Sequence, residues 1–122
     1  MRLTKIVLNN FKVFHGEHVI DCSVDDNFAK PLILIGGPNG AGKTSILESI
    51  KLCFFGSLNK QLLKPYSNSY NKLLWDVHNK TTRNIGNKFS ISVDFCDNKI
   101  RDIDVFSIKR EWTLLGEQKY KE

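Results

Sequence analysis

The chain has 122 residues, of which 41% are hydrophobic and 25% charged, the balance of an ordinary domain with one modest core. It contains no apolar run of the roughly 18 residues that a membrane-spanning helix requires, and Met1 to Leu8 lacks the apolar stretch and cleavage site of a secretory leader, so the expectation is an intracellular, cytoplasmic protein. The formal net charge of +5, from 18 Lys and Arg against 13 Asp and Glu, leans towards a polyanionic partner without establishing one. The three cysteines, Cys22, Cys53 and Cys96, are far apart and form no Cys-x-x-Cys pair, which predicts reduced, buried thiols rather than a disulfide framework or a zinc site. His15, His18 and His78 share no ligand spacing with them or with one another.

In chain order, Arg2 to Asn9 reads as a strand carrying Leu3, Ile6, Val7 and Leu8. Phe11 to Cys22 reads as a second strand or hairpin turning near His15-Gly16, and Asp25, Asp26 and Asn27 mark a loop. Pro31-Leu32-Ile33-Leu34-Ile35 is a short apolar run ending in Gly36-Gly37, as expected of a strand buried on both faces. From Lys43 to Phe55, Ile46, Leu47, Ile50, Cys53 and Phe54 recur at helical spacing, and Gly56 is placed to end that helix in a left-handed turn.

Ser57 to Asn71 is polar and contains Pro65, which predicts a loop, followed by a short helix around Tyr70 to His78 with Leu73, Leu74 and Val77 inward. Phe89, Ile91, Val93 and Phe95 alternate with Ser90, Ser92, Asp94 and Cys96, the period of a half-buried strand. Asp97-Asn98-Lys99 is expected to turn into a second antiparallel strand, Ile100 to Leu115, and the charged residues Gly116 to Glu122 to fray.

One segment carries chemistry. Gly37-Pro38-Asn39-Gly40-Ala41-Gly42-Lys43-Thr44 matches the phosphate-binding pattern of Gly, four residues and Gly-Lys-Ser/Thr at every fixed position, between an expected strand and an expected helix. Average composition produces such a match by chance in roughly one chain of this length in a few hundred. The glycines permit backbone angles that let successive N–H groups point at phosphate oxygens, at a helix N-terminus whose dipole also favours negative charge. Lys43 supplies a mobile positive charge to the β- and γ-phosphates, Thr44 offers its hydroxyl to Mg2+, and Ser45 is placed to reach the α-phosphate, so the cofactors expected are ATP and Mg2+.

Leu8-Asn9-Asn10-Phe11-Lys12, together with Gly36 to Glu48, resembles the N-terminal head segment of the RecF/RecN/SMC group of ABC-type ATPases. Within that group, Pro31 to Gly37 and Phe54-Phe55-Gly56 are most similar to DndD, the ATPase associated with phosphorothioate modification of DNA. The resemblance is strongest over Met1 to Gly56, with the strand ending near Arg110-Glu111-Trp112 also similar. It implies an α/β P-loop NTPase fold, here residues 1–122 as the N-terminal lobe of the head, with a mixed sheet and an antiparallel β layer. It further implies a head completed by the far end of a long coiled-coil chain, a homodimer formed around two ATP molecules, and action on DNA in modification, restriction or repair. By the same resemblance Lys12 would lie near the nucleotide; the residues alone equally allow an exposed lysine on a strand edge.

Leu73-Leu74-Trp75-Asp76 and Val93-Asp94-Phe95 lack the apolar run and Asp-Glu pair of a Walker B element, no Leu-Ser-Gly-Gly signature occurs, and neither Gln61 nor Gln118 has a Q-loop context. The expectation is therefore a segment of a longer protein that binds Mg-ATP and leaves hydrolysis to motifs outside it. Two other classes share some of these features. A small P-loop kinase has the same loop, though it usually opens directly with the P-loop strand. A non-catalytic nucleic-acid-binding module would use Lys60, Lys64, Lys72, Lys80, Arg83 and Lys88, with Tyr66, Tyr70 and Trp75 as stacking surfaces.

Overall fold

A computed structural model describes residues 2–22, 43–98 and 103–122. Strand β1 (Arg2–Phe11) pairs antiparallel with β2 (Phe14–Asp21), and its buried side chains, Ile6 and Leu8, follow the period of two that keeps every second residue on one face. The register then shifts between Asn9 and Phe11, with Asn10 in the left-handed region at φ 54°, so that one extra residue is taken up and Phe11 rather than Asn10 enters the core.

That bulge relocates the expected turn. Phe11 pairs with Phe14, so the chain reverses at Lys12-Val13 and not at His15-Gly16. Gly16 lies within β2, where its N–H donates to the side-chain oxygen of Asn10 at 2.9 Å.

Helix α1 (Lys43–Phe55) buries Ser49, Leu52 and Cys53 against β3 (Lys88–Asn98) and β4 (Ile103–Gly116). The Cys53 thiol faces the carbonyls of Ile91 at 3.7 Å and Ile108 at 3.5 Å, and burial pushes its pKa up to about 11, so it stays protonated and inert. All three cysteines are buried, as expected. Gly56 ends the helix at φ 53°, as its position predicts, and Arg110 Nε then donates to the Cys53 carbonyl at 2.6 Å. Positive charge at a helix C-terminus is favourable there, and a Cβ on Gly56 would meet Arg110 Nη1 at 2.8 Å.

The stretch expected to be a loop is instead wound into short helical pieces: a 3₁₀ turn over Gly56–Leu58, helix α2 (Lys60–Leu63) and a second 3₁₀ turn over Lys64–Tyr66. The reason is local capping: the Asn59 side chain accepts from Leu62 N at 3.2 Å, and Pro65 falls at the start of a turn, where its missing N–H costs nothing. Helix α3 (Tyr70–Val77) follows as expected, capped by the Ser69 hydroxyl and burying Leu73, Leu74 and Val77.

Strands β3 and β4 form the expected antiparallel hairpin, but Asp97 and Asn98 continue β3, pairing with Asp104 and Ile103 instead of turning. Ser90, expected on the open face, is buried as well; β3 is the central strand, flanked by β1 and β4. The chain end does not fray. Glu117 and Gln118, at φ 29° and 59°, make a tight two-residue turn into β5 (Lys119–Lys121), which pairs with β4. Two successive left-handed residues match the twist of a hairpin.

The five strands run in the order β2-β1-β3-β4-β5, every described pairing antiparallel. This is the antiparallel β layer of an α/β P-loop NTPase N-terminal lobe, with α1 packed on it. The strand expected over Pro31 to Ile35 lies outside the described residues. No described helix is long and apolar enough to cross a membrane.

Candidate nucleotide-binding site

The Lys12-Val13 turn is held from two sides. Lys12 N donates to the Val77 carbonyl at 2.6 Å, the Lys12 carbonyl accepts from Asn79 Nδ2 at 2.7 Å, and Asn79 N donates to the Asn10 carbonyl at 2.8 Å. With its backbone fixed at φ 49°, Lys12 sends its ammonium to the carboxylate of Glu48 on α1, both side chains being partly buried. Lys12 is therefore a paired group facing a helix, and the plain exposed lysine on a strand edge is ruled out.

Glu48 lies four residues after Thr44, one turn along α1 from its start, since a helix repeats every 3.6 residues. No acidic residue occupies the first turn of α1, so the helix itself adds no negative charge at the positive end of its dipole. Thr44 is exposed there and Ser45 half-buried. The helix begins at Lys43, as the sequence predicts; Gly37, Pro38, Asn39, Gly40, Ala41 and Gly42, and the Lys43 side chain, lie outside the described residues.

Beside this helix start opens a cleft of about 430 Å³, lined by Lys12, Val13, Ser45, Asp76, Asn79 and Thr81 among others. Its volume falls in the range of small-molecule sites, and backbone donors at a helix N-terminus next to lysine suit an anionic ligand. The Asn79 side chain ties part of the lining together, accepting from Thr81 N at 3.1 Å and Thr81 Oγ1 at 2.6 Å while donating to the Lys12 carbonyl. The parts played by Glu48 and Asn79 could not be assigned from sequence, because no local pattern pairs them with Lys12; Glu48 meets it only when α1 packs on the sheet, and Asn79 only when the end of α3 is laid beside the first hairpin.

His78 also borders the cleft, yet its ring belongs to the core. It is fully buried, packs on Phe89 with centroids 5.0 Å apart, and its Nδ1 lies 2.9 Å from the Tyr120 hydroxyl. Burial first, and the Arg83 charge second, lower its pKa to about 4, which keeps the ring neutral near pH 7.

The aromatic residues weighed as a nucleic-acid-stacking surface make contacts within the fold. Tyr66 donates to the Asp76 carboxylate; Tyr70 accepts from Trp112 Nε1 at 3.1 Å and donates to Glu122 at 3.0 Å, burial raising its pKa well above the ordinary tyrosine value. Arg83 caps the end of α3 by donating to the carbonyls of His78 and Asp76, with its guanidinium 4.8 Å from the Trp75 ring centre, and Lys88 pairs with Glu111. Of the acidic residues weighed for a Walker B role, Asp94 is taken up by Ser107 and Lys5, and no cluster able to hold a metal ion occurs among the described residues.

The sequence matches the AAA domain family over residues 5–122. The chain belongs to that family. This AAA domain is 46% identical over 52 residues to the DNA double-strand break repair Rad50 ATPase of Nanoarchaeum equitans, covering 43% of the chain and 6% of that protein. It is 33% identical over 110 residues to the DNA replication and repair protein RecF of Prosthecochloris aestuarii, covering 86% of the chain and 26% of RecF. It is 37% identical over 57 residues to the SbcC component of the nuclease SbcCD of Pseudomonas aeruginosa, covering 47% of the chain and 5% of SbcC. The AAA domain is thus an N-terminal segment of the SMC-like ABC ATPase kind, and it spans about a quarter or less of the curated relatives it matches.

Proposed function

We propose that this AAA domain binds Mg-ATP as the N-terminal part of an SMC-like ATPase that acts on DNA. The observation that carries the reading is the cleft at the first turn of α1, lined by Lys12 and Ser45 and placed immediately after the Gly37-to-Thr44 sequence. In this reading the backbone of Gly37, Pro38, Asn39, Gly40, Ala41 and Gly42 surrounds the phosphates, Lys43 neutralises the β- and γ-phosphates, and Ser45 meets the α-phosphate. Thr44 ligates Mg2+, which bridges phosphate oxygens and offsets their charge. Lys12 contributes a further cation from the turn of the first hairpin, and the nucleoside extends into the cleft towards Asn79 and Thr81.

DNA repair is supported as the setting by the functions named for Rad50 and RecF, and phosphorothioate modification or restriction by the resemblance to DndD. The same resemblance supports a partner lobe bearing the Walker B and signature motifs, a coiled coil between the lobes, and a homodimer closed over two ATP molecules. Residues 1–122 would then be one lobe of that head, with hydrolysis requiring the other.

Calorimetric titration of Mg-ATP into the chain and into Lys43→Ala tests the reading. Removing the phosphate-binding lysine is expected to weaken binding by about 100-fold, on the scale of a lost charge-assisted contact, while thermal stability stays unchanged. Equal affinity in both proteins would sink it.

A further inference from the structure

The Lys12–Glu48 pair joins two groups of unequal freedom. The Lys12 backbone is fixed by Val77 and Asn79, so only its four-carbon stem can move, whereas Glu48 is anchored on α1 one turn beyond Thr44. One helical turn is about 5.4 Å, a distance that a lysine stem covers by changing rotamers without backbone movement. Lys12 and Ser45 line the same cleft, so the ammonium needs only to swing back along α1 to reach a ligand at the helix start.

We infer that Glu48 is a positioning residue that holds the Lys12 ammonium in reserve and surrenders it to the phosphates when nucleotide enters. The inference rests on the Mg-ATP reading above. A triphosphate carries more negative charge than one carboxylate and draws the ammonium away; Glu48 is then left without its counter-ion. Binding must therefore overcome the pair, and Glu48 sets the affinity below the value that Lys12 alone would give. The pair is partly solvated, with side chains 24% and 30% exposed, so the exchange involves a modest free energy and is reversible.

The test is a double-mutant cycle on the full chain, reading Mg-ATP affinity by calorimetry for wild type, Glu48→Gln, Lys12→Ala and the double variant, with Lys43→Ala as the control for phosphate-loop binding. Glutamine keeps the shape of glutamate, and Glu48→Asp keeps the charge; thermal midpoints report whether each variant is folded. Glu48→Gln is expected to tighten binding by about fivefold when Lys12 is present and by much less when it is alanine, the scale of one partly exposed charge pair, with Glu48→Asp close to wild type. Weaker or unchanged binding in Glu48→Gln, or the same gain in both backgrounds, overturns the exchange while leaving the Mg-ATP reading intact. Wild type that binds no Mg-ATP, or binds it as well as Lys43→Ala, removes both.

Discussion

Two neighbouring regions of this domain are built on opposite terms. Around Phe89, the side chains of Trp112, Tyr120 and His78 stack or meet edge to face at centroid distances of 4.8, 5.6 and 5.0 Å, closing the end of the sheet with aromatic surface. Across His78-Asn79, the wall of the cleft is made of hydrogen bonds and one ion pair: Asn79 to the Lys12 carbonyl, Thr81 to Asn79, Lys12 to Glu48. The first region supplies stability that no ligand is needed to maintain; the second sets a partly exposed ion pair, Lys12 and Glu48, on a buried polar support, Asn79. Adjacent residues serve the two ends: His78 faces the core, and Asn79 fixes the turn that carries Lys12.

The comparison breaks most readily at Trp112. It is fully buried, and Trp112→Ala is expected to cost about 3–5 kcal/mol through lost contact and the cavity left behind. Urea denaturation gives the value; a loss below about 1 kcal/mol would mean that the aromatic cluster is not what holds the sheet end closed.

The next effect comes from His78. Its pKa of about 4 in the fold lies below its ordinary 6.5, so the unfolded chain takes up a proton that the folded chain refuses. Stability contributed in this way is complete above pH 6.5 and declines as pH falls towards 4, by about 3 kcal/mol in all. Denaturation midpoints measured between pH 7 and 4.5 should fall in the wild type and change much less in His78→Phe. Equal slopes in both proteins would place the acid sensitivity elsewhere.

The smallest effect sharpens the boundary of α1. Gly56→Ala must hold a left-handed angle and displace the Arg110 guanidinium from the helix end, for about 2 kcal/mol of destabilisation by thermal melting. Arg110→Ala should remove the steric part of that penalty, leaving the backbone part; an unchanged penalty would show that Arg110 yields freely.

Elements carried by strong local signals were legible in advance. The extent of the helix from Lys43 to Phe55, the left-handed stop at Gly56, the strand over Phe89 to Phe95 and the apolar triple Leu73, Leu74 and Val77 all appear where the pattern places them. Features decided by a bulge or by a distant partner were not. A single extra residue at Asn10 moves the first turn from His15-Gly16 to Lys12-Val13, and that bulge is stabilised through bonds to Lys88, Asn79 and Gly16. The charged tail folds into β5 because Tyr120 completes the aromatic cluster and Glu122 meets Arg110 and Tyr70, contacts that lie far apart in the chain.

By itself, then, the sequence supplied the motif on which the proposed chemistry rests, since the Gly37-to-Thr44 pattern is a contiguous run whose spacing and backbone freedom are local properties. It also determined which face of α3 turns inward, because burial there follows the period of the helix, whereas α1 buries Ser49 and Leu52 from outside the predicted stripe and leaves Leu47 exposed, and β3 buries Ser90 as well as its predicted face. Only the tertiary structure decided which side chains gather near the start of α1. Lys12 from the first hairpin, Glu48 from α1 and Asn79 beyond α3 become neighbours only when the antiparallel sheet has set β1 beside β3 and the helices have packed against it, and no local pattern encodes a contact of that range.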